Sequence, residues 1–246
     1  MRMTAMLRIT LMMLATASAP ARQRDPAPNV LTPRERAEGW RLLFDGRDLA
    51  GWQSYRGGAP SPSWTVRDGI LRLTATTGKM SGGDLVTVDR FAAFELTLDW
   101  MVERGGNSGV LYLARNVPQT NQIYETGLEM QILDDAGHPD GKIPSHRAGA
   151  LYDMTVPPAG VVRPAGQWNH ARLRVEPGRI RQWLNGTPTA DVSYGDAAWR
   201  ARVAASKFAK MPLFGTFDSG IIGLQDHREP VAFRNIKIRT LSPPAP

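Results

Sequence analysis

Gly127-Leu128-Glu129-Met130-Gln131-Ile132-Leu133-Asp134 alternates apolar and polar side chains almost to its end, and that period of two decides how the chain is read. Successive side chains of an extended strand leave opposite faces. Leu128, Met130 and Ile132 therefore share an inner face, while Glu129 and Gln131 project together from the other. A bulge near Leu133 would turn Asp134 to that same outer side.

The same period recurs outward from this segment. Phe94, Leu96, Leu98 and Trp100 alternate with Glu95, Thr97 and Asp99, and Ala171, Leu173 and Val175 alternate with His170, Arg172 and Arg174. Phe233, Ile236 and Ile238 continue the pattern near the end. Further short strands are expected at residues 40–44, 63–66, 70–74, 84–88, 108–114, 179–184 and 221–225. Asp45-Gly46, Asp68-Gly69, Pro177-Gly178 and Asn185-Gly186 supply the turns between them. One segment, 196–208, has helical spacing through Trp199 and Val203. Many short half-buried strands with a single short helix predict an all-β fold, a jelly-roll β-sandwich.

The bulk composition bounds what such a sandwich does. Residues 1–21 carry the pattern of a secretory signal peptide: Arg2 and Arg8, an apolar centre from Ile9 to Leu14, and small residues up to Ala21. Residues 22–36, with Pro26, Pro28 and Pro33, read as an extended linker, and 37–242 as one domain. With no cysteine there is no disulfide, thiol nucleophile or lipid-anchor site, so the expected address is periplasmic or secreted, with no membrane anchor after signal cleavage. The formal charge is +7, or +5 once Arg2 and Arg8 leave with the signal, and it is scattered among acidic residues. Such scatter is no footprint for nucleic acid.

Four groups of residues carry the chemistry. A mid-strand carboxylate such as Glu129, sheltered in a cleft, has the raised pKa that suits proton transfer, although a solvated or ion-paired strand carboxylate produces the same letters. Gly105-Gly106-Asn107-Ser108-Gly109 forms a tight connection that delivers an amide and a hydroxyl, a set that matches sugar hydroxyls as well as a plain hairpin. The long loop from Asp134 to Asp153 holds His138 and His146 together with Tyr152, and loops of this length are often functional. The histidine spacing fits no zinc signature, so a metal site is left open, with Asp134, His138 and His146 as its candidates. Gln225-Asp226-His227 closes an apolar strand and places Gln225 and His227 on one face.

Taken in order, these segments resemble the 3-keto-disaccharide hydrolase family, whose members have a concanavalin A-like sandwich. The resemblance rests on Leu43-Phe44-Asp45-Gly46, Gly51-Trp52, Trp64, Gly106-Asn107-Ser108-Gly109-Val110, Glu129-Met130-Gln131-Ile132-Leu133-Asp134 and His138-Pro139-Asp140. It continues through Gly149-Ala150-Leu151-Tyr152-Asp153, Trp168-Asn169, Leu184-Asn185-Gly186, Gly223-Leu224-Gln225-Asp226-His227 and Phe233-Arg234-Asn235-Ile236. One departure is that Gly127-Leu128 precede Glu129 where the family often has Tyr or Phe, with Tyr124 displaced upstream.

The resemblance implies cleavage of glycosides already oxidised at carbon 3, by elimination and hydration. Glu129 and His227 would serve as base and acid, in either assignment, and Asn107, Ser108, Gln131, Tyr152 and Gln225 would bind the sugar. Asp134, His138 and His146 would shape the rim or bind a divalent ion that polarises the ketone. The ketone itself would come from a separate sugar 3-dehydrogenase, since the chain has no Gly-rich dinucleotide loop ahead of a helix. Two other readings stand beside this one: a carbohydrate-binding module using Trp52, Tyr55, Trp64, Tyr124 or Tyr152 as platforms, and a two-carboxylate glycosidase.

Overall fold

The structure is a computed structural model that describes residues 27–74 and 83–241. The signal-peptide reading and the Pro-rich tail 242–246 lie outside the described residues. Thirteen strands, numbered along the chain, form two antiparallel sheets among these residues.

The larger sheet runs β11 (Thr187–Ser193), β10 (Arg179–Leu184), β9 (Asn169–Glu176), β6 (Phe94–Val102), β13 (Val231–Thr240), β4 (Ile70–Leu73) and β3 (Trp64–Arg67), with β1 (Arg41–Leu42) paired to β13. The smaller runs β2 (Trp52–Ser54), β5 (Leu85–Thr87), β12 (Ile221–Leu224), β7 (Asn107–Ala114) and β8 (Leu128–Leu133). The chain has the all-β sandwich fold that its alternation predicts, with one helix longer than a single turn, α2 (Ala197–Ala204), among the described residues.

The alternation decides the core. Phe94, Leu96, Leu98 and Trp100 from the large sheet meet Val110, Tyr112, Leu128, Met130 and Ile132 from the small one, all buried. Each such side chain removed from water contributes about 1.5–3 kcal/mol. The hairpin turns follow the sequence signals: Asn185 and Gly186 both have positive φ, 51° and 83°, as do Asp68 and Gly69 at 53° and 72°. That conformation is what a two-residue hairpin requires and what Asn, Asp and Gly adopt most easily.

Three features depart from the sequence reading. Strands β2 and β11 are not among the expected ones; β11 holds Pro188, and as the last strand of its sheet it tolerates a residue without a backbone donor. Residues 27–36 are not a free linker: the Asn29 amide donates to Gly69 O at 2.7 Å and its backbone N–H to Asn235 Oδ1 at 2.6 Å. Thr32 then caps a one-turn helix, α1 (Pro33–Ala37), with Glu35 returning the bond, a capping box in the letters Thr-Pro-Arg-Glu. The segment 196–208 divides at Ala205 into α2 and a 3-10 turn, Lys207–Lys210, which Ser206 caps.

Strand β8 ends the small sheet, yet its free edge is covered. Gln131 N–H donates to Ala150 O at 3.0 Å, Gly149 N–H to Gln131 O at 2.8 Å and Tyr152 N–H to Glu129 O at 3.0 Å. The loop after Asp134 thus lies along β8 as a short extra strand, which removes the edge and sets Tyr152 beside Glu129.

Candidate active site

The outer face of the small sheet has two halves. Val86, Leu111, Ala114, Ile123 and Ile221 form a small apolar cluster at one end. At the other a cavity of about 140 Å³ is lined by Asn107, Tyr124, Glu129, Gln131, Tyr152, Lys207, Phe208, Gln225 and His227. Sequence elements more than a hundred residues apart meet here because β12 lies beside β7 and β7 beside β8.

Glu129 is the centre of this cavity by its chemistry. It is 7% exposed, and its carboxyl lies over Gly109, where an added Cβ would sit 2.1 Å from Oε1. Only glycine leaves that slot open. Burial pushes the Glu129 carboxyl up to about 8, with the charge of Asp84 adding to the rise and that of Lys207 opposing it. Amide oxygen and nitrogen are alike in shape, and the assignment that satisfies Gln131 points its Nε2 at Glu129 Oε1, 3.2 Å away, and at Ser108 O, 3.0 Å away. The heads of Gln131 and Asn107 lie 3.4 Å apart.

His227 reaches the cavity from the end of β12. It is half-exposed, and its Nδ1 lies 2.9 Å from Glu229 Oε2. With Nδ1 turned to that carboxylate, Nε2 is the ring nitrogen left for the cavity. The corner before it is fixed by Asp84, whose Oδ1 accepts the Asp226 N–H at 2.9 Å, while Asp226 Oδ1 accepts from Arg228 N–H at 3.0 Å. Burial raises the Asp84 carboxyl to about 6.

Six of the residues expected at the site line the cavity: Glu129, His227, Asn107, Gln131, Tyr152 and Gln225. Ser108 does not, because it alternates with Asn107; it is fully buried and its hydroxyl donates to Gln225 O at 2.9 Å. The three metal candidates are not brought together, and among the described residues no group of three His, Asp or Glu side chains is placed to hold a metal ion. Asp134 Oδ2 accepts the Gly105 N–H at 2.8 Å and so ties down the turn into β7. His138 accepts from the Asp140 N–H through Nδ1 and turns its ring toward His227, 6.3 Å between centres. His146 stacks on Tyr152 at 4.4 Å with Nε2 3.1 Å from Asp153 Oδ1.

Tyr124, one of the suggested aromatic platforms, lines the cavity, and Lys207 and Phe208 complete the lining without having been expected there. Tyr124, displaced upstream of Glu129 in the sequence, returns to it through the 3-10 turn Ile123–Glu125. Lys207 stands with its ammonium 4.0 Å from the centre of the Tyr152 ring. Of the other suggested platforms, Trp52 and Trp64 are core residues at 5% and 4% exposure, and the Tyr55 hydroxyl donates to Arg115 O at 3.2 Å.

The sequence profile of the 3-keto-alpha-glucoside-1,2-lyase-like domain matches residues 39–239. The chain belongs to that family. A 3-keto-disaccharide hydrolase of Bacteroides thetaiotaomicron is 33% identical over 230 aligned residues, which cover 83% of this chain and 79% of the relative. A crystal structure from Parabacteroides distasonis, assigned as a glycosyl hydrolase, superposes with a TM-score of 0.81 at 34% identity, covering 88% of this chain and all of that one. A galectin-like protein of Bacillus subtilis, 13% identical with a TM-score of 0.52 over 87% of this chain and 95% of its own, shares the fold alone. Membership of the family makes the chain an enzyme of the glycoside-hydrolase type.

Proposed function

We propose that the chain cleaves the glycosidic bond of glycosides carrying a ketone at carbon 3, by elimination followed by hydration, with Glu129 as the base at carbon 2. The observation that carries this reading is a buried carboxyl with a raised pKa, the one carboxyl among the described residues lining a cavity of about 140 Å³. A ketone acidifies the neighbouring C–H bond because the electron pair left behind spreads onto oxygen. Glu129 takes the carbon 2 proton, the C2–C3 bond gains double-bond character and the carbonyl oxygen takes the charge. That charge returns, the C1–O bond breaks, and His227, acting as the imidazolium with its Nδ1–H kept on Glu229, gives its Nε2 proton to the departing oxygen. Water then adds across C1 and C2, so the sum is hydrolysis.

A base working near neutral pH needs a pKa near the operating pH, which burial gives Glu129. Two-carboxylate cleavage is less favoured, because among the described lining residues Glu129 is the one carboxylate and an amide, Gln131, faces it. A binding module needs hydrogen-bonding groups but no desolvated acid, so Glu129 also argues against that reading. The leader pattern supports an exported activity, and the ketone calls for a separate enzyme that oxidises carbon 3.

The test is exchange and turnover. In D₂O the protein should exchange the carbon 2 hydrogen of a 3-keto-glycoside and release its aglycone, while the unoxidised parent is untouched. Glu129→Gln should lower both rates by about 10²–10⁴-fold, the span of general base catalysis. Cleavage of the parent at the same rate would remove the ketone from the mechanism.

A further inference from the structure

Removing the carbon 2 proton places a full negative charge on the carbonyl oxygen, so the groups left to meet that charge decide the rate. Most neutral donors around the cavity are already committed. Gln131 gives its amide hydrogens to Glu129 and to Ser108 O. The Tyr152 hydroxyl donates to Asp140 Oδ2 at 3.2 Å, and burial with nearby acids holds its proton well above the ordinary tyrosine range. Ser108 faces the core, and His227 is reserved for the leaving oxygen. Asn107, Gln225 and the Tyr124 hydroxyl remain as neutral groups, and one cation lines the cavity among the described residues, Lys207.

We propose that the ammonium of Lys207 is a catalytic group, stabilising the enolate oxygen that forms on carbon 3 through a charge-assisted hydrogen bond. The inference rests on the elimination reading above. Three observations support it. Lys207 forms no salt bridge among the described residues, so its charge is not spent. Its ammonium is held instead over the faces of Tyr152, at 4.0 Å, and Phe208, at 5.2 Å, an attraction that orients a cation without neutralising it. Its backbone is fixed as well: the Lys207 N–H donates to Asp153 Oδ2 at 2.7 Å, and the other oxygen of Asp153 holds His146, which stacks on Tyr152. One acidic residue thereby positions both the lysine and the ring beneath it.

The electronic sense agrees with the role. The positive charge of Lys207 favours the carboxylate form of Glu129, so it readies the base before the reaction and meets the transferred charge during it. In the first step the C2–H bond breaks toward Glu129 and the carbonyl π pair moves to oxygen, beside Lys207. In the second that pair re-forms the carbonyl as the C1–O bond breaks. Lys207 keeps its protons throughout.

The test compares Lys207→Met and Lys207→Arg with the native protein on a 3-keto-glycoside bearing a coloured aglycone. Lys207→Met should lower kcat and carbon 2 exchange together, by about 10²–10³-fold with KM little changed, the cost of losing one oxyanion donor. The rising limb of its pH–rate profile should move to higher pH, because Glu129 loses a neighbouring cation. Lys207→Arg should recover part of the rate. Full kcat in Lys207→Met, with Glu129→Gln inactive, would overturn the role of Lys207 and leave the elimination reading standing. Native protein unable to act on the 3-keto-glycoside would overturn both. Trapping a secondary amine on Lys207 with borohydride would replace the charge role by an iminium and so also overturn it.

Discussion

Two glutamates are buried on the outer faces of this sandwich, one per sheet, and their surroundings are opposite. Glu95 on β6 is 2% exposed and Glu129 on β8 is 7% exposed. Glu95 accepts from Arg172 Nε at 2.5 Å and from Arg239 Nη2 at 2.7 Å, with Arg174 at 3.5 Å. Arg172 stacks on Trp183 and Arg239 on Trp40, which holds the guanidiniums in place. These partners come from register, since Arg174 and Arg239 lie directly across from Glu95 on β9 and β13. Across from Glu129 lies Leu111, with Gly109 diagonal to it. Burial is nearly equal, so the cross-strand neighbours decide: three cations make Glu95 a clasp between strands, and an apolar partner beside an open slot leaves Glu129 free to exchange a proton.

The sharpest way to break this contrast is to neutralise each carboxyl in turn. Glu129→Gln should cost about 10²–10⁴-fold in turnover, whereas Glu95→Gln should leave kcat within about twofold, because general base catalysis is lost only in the first. Activity assays on the two variants side by side decide it, and equal losses would erase the distinction. Gly109→Ala tests the slot itself. Its Cβ would lie 2.1 Å from Glu129 Oε1 and 2.7 Å from Cδ, so the carboxyl must move. A displacement on this scale should lower kcat by about 10²-fold while carbon 2 exchange falls in proportion.

The contrast between the glutamates also marks how far the sequence is legible. Alternation places Glu95 and Glu129 alike on outer faces, and the strands, the hairpins at Asn185-Gly186 and Asp68-Gly69 and the pairing of Glu129 with Gln131 follow from local chemistry. Which strand lies across from which does not, and that is where Arg239 and Leu111 enter. His227 joined Glu129 in the reading through resemblance to a family, because nothing local ties β12 to β8. Lys207, Phe208 and Tyr124 arrive on 3-10 turns whose periodicity is too short to orient a side chain. Asp134 and His146 read as rim ligands for the same reason: polar residues in a long loop look alike whether they face a ligand or, as here, Gly105 and Asp153.

Stability sharpens the comparison with smaller effects. Glu95→Gln removes the anion beneath three arginines and should lower stability by about 1–3 kcal/mol, the range for hydrogen bonds to charged groups, read from denaturant midpoints. Glu129→Gln should do the reverse near neutral pH. Its carboxyl titrates near 8 in the fold against about 4.3 in an unfolded chain, so between those values the native state holds the extra proton. Native stability therefore falls as pH rises through this window, is unaffected below it, and carries the full penalty above about 8. Glutamine abolishes that titration. The variant should match the native protein at pH 4 and then gain on it steadily, by at most about 1.4 kcal/mol per pH unit, or about 3–5 °C in Tm for a chain of this size. Thermal melts of both proteins from pH 4 to 9 measure the gap, and a gap that stays constant across the range would mean that Glu129 keeps an ordinary pKa and that burial is not what sets it apart from Glu95.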